Sequence, residues 1–92
     1  MGTEILDEVF KVIEDRKRNL PKNSYVARLL TSGKACEKVI EEANELVEAA
    51  EKNTRAEIVH EAADLIFHIM VLLAEKDVKL DEVMEELRRR RR

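Results

Sequence analysis

EIVHEAADLIFHIMVLLAE, residues Glu57 to Glu75, is the stretch that decides the fold. Its apolar side chains, from Ile58, Val59, Ala62 and Ala63 through Leu65, Ile66, Phe67, Ile69, Met70, Val71, Leu72 and Leu73, cover nearly the whole helical circumference. Such a pattern predicts a helix buried on most sides. One narrow polar strip interrupts it, made of Glu57, Glu61, Asp64, His68 and Glu75, which stack one above another at helical spacing. A charged strip on an otherwise interior helix must face a solvated groove or a partner that neutralises it. The uncharged run Leu65 to Ala74 is far shorter than the about 20 apolar residues that cross a bilayer, so it reads as a core helix and no membrane contact is expected.

Working outward, Thr54-Arg55-Ala56-Glu57 predicts a capping box that opens this helix after Asn53. Before it, Lys34 to about Glu51 forms another helix with Val39, Ala43, Leu46, Val47 and Ala50 on one face. Lys38, Glu42, Glu45 and Ala49 flank that face, and Glu41 lies farther round toward solvent. Toward the amino terminus, Thr3 is placed to cap a helix with Ile5, Leu6, Val9, Phe10 and Ile13 inward, ending before Asn19-Leu20-Pro21. The basic cluster Arg16, Lys17, Arg18 and Lys22 reads as a solvated helix end. Ser24 caps a short helix, Tyr25 to Leu30, closed by Gly33, and the Tyr25 ring is expected to pack against a neighbouring helix. After a turn at Lys76 to Lys79, a last helix carries Leu80, Val83, Met84 and Leu87 inward and passes into a frayed basic tail over 88–92. The expectation is one all-α domain over 1–92, a bundle of four to five helices.

The 92 residues include 40% charged positions of mixed sign and a net charge of −3, which argues against nucleic-acid binding. Phe10, Tyr25 and Phe67 are too few aromatics for a stacking platform. A single cysteine, Cys36, and no secretory pattern place the chain in the cytoplasm. So small a bundle has too few helices to cover Ile58 through Leu73, so a homodimer is expected to complete it.

Glu42 with Glu45, and Glu61 with Asp64, each lie three residues apart, so each pair converges on one side of its helix. If these two helices pack antiparallel, four carboxylates meet across a groove. Two like charges about 4 Å apart repel by roughly 4 kcal/mol at an effective dielectric near 20, which calls for a cation. Oxygen donors without thiolate or paired histidines select Mg²⁺ or Mn²⁺ over zinc, and such a site points to a nucleotide polyphosphate substrate. Lys34 and Lys38 either bind its phosphates or pair with Glu41 and Glu42. His68 is either a ligand contact or a packed partner of Asp64. The alternative is a non-catalytic helical dimerisation module whose acids only face solvent.

Ser24-Tyr25-Val26-Ala27-Arg28-Leu29-Leu30, Gly33, Lys38-Val39-Ile40-Glu41-Glu42-Ala43, Glu61-Ala62-Ala63-Asp64-Leu65, His68, Val71-Leu72-Leu73 and Leu87-Arg88 together carry a resemblance. The chain resembles the phosphoribosyl-ATP pyrophosphatases of histidine biosynthesis, within the all-α, MazG-like nucleotide pyrophosphohydrolases. Ile40 and Phe67 stand where that family usually has glycine and tyrosine. The resemblance implies Mg²⁺-dependent hydrolysis of phosphoribosyl-ATP to phosphoribosyl-AMP and pyrophosphate by a homodimer with sites near its interface. It also implies metal ligation by Glu42, Glu45, Glu61 and Asp64, with Glu41 as ligand or support, and Ser24, Tyr25, Arg28, Lys34, Lys38 and His68 on the substrate side. A house-cleaning nucleoside-triphosphate pyrophosphohydrolase of the same superfamily is the other expectation.

Overall fold

The computed structural model describes residues 2–91 and contains five helices: α1 (Glu4–Asn19), α2 (Tyr25–Ser32), α3 (Ala35–Lys52), α4 (Arg55–Glu75) and α5 (Leu80–Arg90). No strand occurs among the described residues, as the composition requires.

Local chemistry sets the boundaries. Leu20 takes a left-handed conformation (φ 43°) and its N–H donates to Arg16 O at 2.8 Å, closing α1 just ahead of Pro21. Gly33 ends α2 at φ 73°, where a residue without Cβ meets no penalty. Ser24 caps α2 as expected, its Oγ accepting from Ala27 N–H at 3.1 Å. The other two expected side-chain caps are absent. Thr3, with ψ −2°, lacks the extended backbone that aims a capping oxygen, and Thr54 has that backbone but makes no capping bond with its side chain. Their carbonyls instead accept from Leu6 N–H and Ile58 N–H.

The core gathers Phe10 and Ile13 of α1, Val26 and Leu29 of α2, Ala35 of α3, Met70, Val71 and Ala74 of α4, and Leu80 of α5. It therefore sits around the carboxyl-terminal half of α4. The amino-terminal half of α4 is paired chiefly with α3 in an antiparallel hairpin that projects from this core. The chain is accordingly elongated, with a radius of gyration of 14.2 Å against about 12 Å expected for its length.

Within one chain α4 stays partly open, as expected of a bundle with too few helices to cover it: Val59 is 64% exposed and Ile66 45%. One sequence expectation is corrected here. On α3 the buried line is Ala35, Glu42 and Ala49, two turns apart, whereas Val47 and Ala50 face outward. Both flanking positions on this seam are alanines, and Glu42 is the one charged side chain drawn into it.

The ends also differ from expectation. Lys17 is not simply solvated: its ammonium donates to Ala74 O at 2.7 Å and to the Asp77 carboxylate, tying α1 to the end of α4. Helix α5 continues through Arg90, with Arg88 paired to Glu85 and Arg89 and Arg90 paired to Glu86, so the helix does not fray at Arg88. Arg92 lies outside the described residues.

Candidate metal and nucleotide site

The α3–α4 hairpin brings the acids together. On α3, carboxylate oxygens of Glu41, Glu42 and Glu45 lie within 4.8 Å of one another; on α4, His60, Glu61 and Asp64 do the same. Glu45 joins the two groups, because it lies within hydrogen-bonding reach of both Glu42 and Glu61. Asp64 sits at the outer edge, reaching the cluster through Glu61.

Electrostatics in this cluster are unbalanced. The Glu42 side chain is only 7% exposed, and its Oε2 is buried without a hydrogen-bond partner. Glu61 Oε1 is buried and unpartnered as well. Its hydrogen bond with Glu42, then loss of hydration and the charges of Glu42 and Glu61, push the Glu45 carboxyl up to about 7. Lys38 is the only cation paired inside the cluster among the described residues, with its Nζ 3.3 Å from Glu41 and 3.4 Å from Glu42. Loss of hydration pulls the Lys38 ammonium down, but the Glu41 hydrogen bond, the nearby Tyr25 hydroxyl and Glu42 outweigh it and raise its pKa. One ammonium against four or five carboxylates leaves room for a hard divalent cation, and two buried unsatisfied carboxylate oxygens are the donors such an ion needs.

A second group adjoins the first. Tyr25, at the start of α2, places its hydroxyl 2.9 Å from His68 Nε2 on α4, and the two rings meet edge to face at 5.8 Å. His68 is buried, its Nδ1 lies 2.7 Å from Asp64 O, and Phe67 also meets it edge to face. The expected packing of the Tyr25 ring against a neighbouring helix is therefore present. Arg28, one turn along α2, holds its guanidinium 5.9 Å above the Tyr25 ring and has no carboxylate partner among the described residues.

The predicted residues thus separate. Glu42, Glu45 and Glu61 form the centre and Glu41 and Asp64 its rim; Lys38 pairs with Glu41 and Glu42, and the Asp64 carbonyl joins the cluster to the Tyr25, Arg28 and His68 group. Ser24 is occupied as the α2 cap, and Lys34 is exposed at the α3 amino terminus with no ion pair among the described residues. A cleft of about 350 Å³ at the α1 exit is lined by Glu14, Lys17, Arg18, Ala74, Asp77, Val78 and Lys79, away from the acids of the cluster. Of these acids Glu42 is buried, Glu45, Glu61 and Asp64 are half-buried, and Glu41 is exposed.

Sequence reasoning missed His60. Its Nε2 lies 3.4 Å from Asp64 Oδ2, and the signal was its position four residues before Asp64, next to Glu61.

Comparison with known proteins bears on this arrangement. The family model described as phosphoribosyl-ATP pyrophosphohydrolase matches residues 6–91. A phosphoribosyl-ATP pyrophosphatase of Haloarcula marismortui is 45% identical over 92 residues, covering 96% of this chain and 94% of the relative. One from Methanococcoides burtonii is 47% identical, covering 95% and 92%. One from Natronomonas pharaonis is 48% identical, covering 98% and 93%.

Proposed function

This chain belongs to the phosphoribosyl-ATP pyrophosphohydrolase family, and from that premise we propose that it hydrolyses phosphoribosyl-ATP to phosphoribosyl-AMP and pyrophosphate, as a step of histidine biosynthesis in the cytoplasm. Family membership sets aside the reading of a non-catalytic helical module. The observation that carries the site assignment is the junction at Glu45, where acids of α3 and α4 meet with buried oxygens left unsatisfied.

In this reading Glu42, Glu45, Glu61 and Asp64 hold Mg²⁺, or Mn²⁺ in its place, and Glu41 supports them. The ion supplies neutralisation of the polyphosphate and acidification of water for in-line attack on phosphorus. Water adds to the α-phosphorus, the bond from that phosphorus to the α–β bridging oxygen breaks, and that oxygen leaves with pyrophosphate. A carboxylate of the cluster accepts the proton. Lys38 holds Glu41 and Glu42 in place and adds positive charge beside the phosphates. Arg28, with no carboxylate of its own, meets a phosphate oxygen, and Lys34 lies at the same end of α3.

A homodimer completes the site. Ile40, Val47, Val59 and Ile66 leave apolar surface open on the hairpin that also carries the acids, and covering such surface is the usual reason for association in small domains.

The test is pyrophosphate release from phosphoribosyl-ATP by the purified protein with Mg²⁺ or Mn²⁺, beside a panel of nucleoside triphosphates. Preference for phosphoribosyl-ATP, lost in Glu42→Gln and Glu61→Gln, is expected. Preference for ordinary triphosphates would move the chain to the house-cleaning reading.

A further inference from the structure

We infer that His68 is a positioning residue that fixes the Tyr25 hydroxyl as a hydrogen-bond acceptor, so that Tyr25 selects a neutral O–H or N–H donor on the nucleoside part of the substrate rather than a phosphate. The inference rests on the nucleotide-hydrolase reading above and deepens it. Tyr25 and His68 are not two equivalent substrate contacts.

The argument follows from which atoms can donate. His68 Nδ1 lies 2.7 Å from Asp64 O, and a carbonyl only accepts, so Nδ1 carries the proton. In a neutral imidazole the other nitrogen is then an acceptor. That nitrogen, Nε2, lies 2.9 Å from Tyr25 Oη, which must supply the proton. The phenol has one proton, and it is committed to His68. What the hydroxyl offers outward is a lone pair, which a phosphate oxygen cannot use and a ribose hydroxyl or an amino group can.

Burial makes the arrangement rigid. His68 is 6% exposed, wedged edge to face against Phe67 and Tyr25, whereas Tyr25 is 42% exposed and so reaches solvent from the same contact. His68 therefore cannot meet the nucleotide, but it sets the orientation of a side chain that can. Ser24 fixes the other end, because its cap starts α2 at Tyr25. Arg28 above the Tyr25 ring supplies an anion-binding group next to the acceptor. This division separates recognition of the sugar or base from recognition of the phosphates.

Kinetics on the full-length protein with saturating Mg²⁺ at pH 8 test it, together with inhibition by inorganic pyrophosphate as the phosphate-only probe. Tyr25→Phe is expected to raise KM for phosphoribosyl-ATP about tenfold, the loss of one hydrogen bond, with kcat and pyrophosphate inhibition changed less than about twofold. His68→Leu should match it, and the double variant should be no worse than Tyr25→Phe. His68→Gln, whose amide oxygen can accept from Tyr25, should recover most of the loss. The protein has one tyrosine and no tryptophan, so its intrinsic emission reports Tyr25 alone. It should change when ATP is added and not when pyrophosphate is added, and the His68→Leu protein should lose that response. Titration with 2′-deoxy-ATP and with inosine triphosphate distinguishes a ribose hydroxyl from an amino group as the donor.

Pyrophosphate inhibition weakened in step with phosphoribosyl-ATP affinity would place Tyr25 on a phosphate and overturn the inference. So would a His68→Leu protein that is folded by circular dichroism and keeps wild-type KM and emission response. If the wild-type protein fails to hydrolyse phosphoribosyl-ATP, the functional reading falls, and the emission titrations decide the Tyr25 assignment independently.

Discussion

Replacing Glu61 by glutamine should stabilise the metal-free protein and remove most of its response to Mg²⁺, two effects of opposite sign from one atom. In the wild-type protein Glu61 Oε1 is buried without a donor, and Glu45 lies within reach of both Glu61 and Glu42. An amide at position 61 can donate to the Glu45 carboxylate at any pH, where two carboxylates need a shared proton. An unsatisfied buried acceptor costs roughly 1–3 kcal/mol; Glu61 as a whole is only half-buried, so we take the lower end, about 1 kcal/mol. In a domain of this size that is about 4–8 °C in Tm. Mg²⁺ at about 100 times its Kd stabilises the wild-type protein by about 2.7 kcal/mol, or about 11–22 °C. A hundredfold loss of affinity in Glu61→Gln leaves about 0.4 kcal/mol at the same Mg²⁺ concentration, or about 2–3 °C. Thermal melts at pH 8, with and without MgCl₂ and at one protein concentration, read both effects. A variant that melts lower than wild type without metal, or that Mg²⁺ lifts by the wild-type amount, would refute the reasoning.

Three further outcomes are expected. Glu45 is held protonated in the fold up to about pH 7, so its contribution to metal-free stability is fully present below about pH 4.5 and is lost as pH rises through about 7; Tm should fall between pH 5.5 and 8, and saturating Mg²⁺ should abolish that slope. Val59→Asp, at a position 64% exposed in the single chain, should leave the circular dichroism spectrum unchanged while converting a sedimenting dimer to monomer; an unchanged sedimentation coefficient would remove this surface from the interface. Ile13→Ala, at a fully buried core position, should cost about 2–5 kcal/mol in urea denaturation without altering the carboxylate cluster.

The helices were legible because periodicity and breakers agree. Pro21, Gly33 and Asn53 each stand at a chain reversal, and Leu65 to Ala74 excludes any reading but a core helix. Spacing of three on two helices joined by a short turn led to the expectation that Glu42 with Glu45 would face Glu61 with Asp64; that Glu45 is the point where the two sets meet came from the structure. What periodicity could not give was the rotation of α3. Its apolar residues suggested a face through Val47 and Ala50, but close helix approach follows the small residues Ala35 and Ala49, and that rotation carried Glu42 inside. His60 went unread because an exposed histidine carries no apolar signal. The tautomer of His68 depends on Asp64 O, a backbone atom invisible to any reading of side-chain types.

The hairpin also bears on how the chain folds. Helices α3 and α4 are neighbours in sequence, joined only through Asn53 and Thr54, and they form the most extensive packing in the molecule. Their encounter closes a very short loop, so its entropic barrier is low. The pairing of α1 with α4 must instead close a loop spanning α2 and α3, and Phe10, Ile13 and Val71 meet only when it does. The carboxylates of α3 and α4 would then face each other in a nascent hairpin before the core has formed, at the stage when their mutual repulsion is least offset by packing. Divalent cations should on this account speed refolding as well as stabilise the product, and the folding arm of a chevron measured with and without Mg²⁺ is where that acceleration would register.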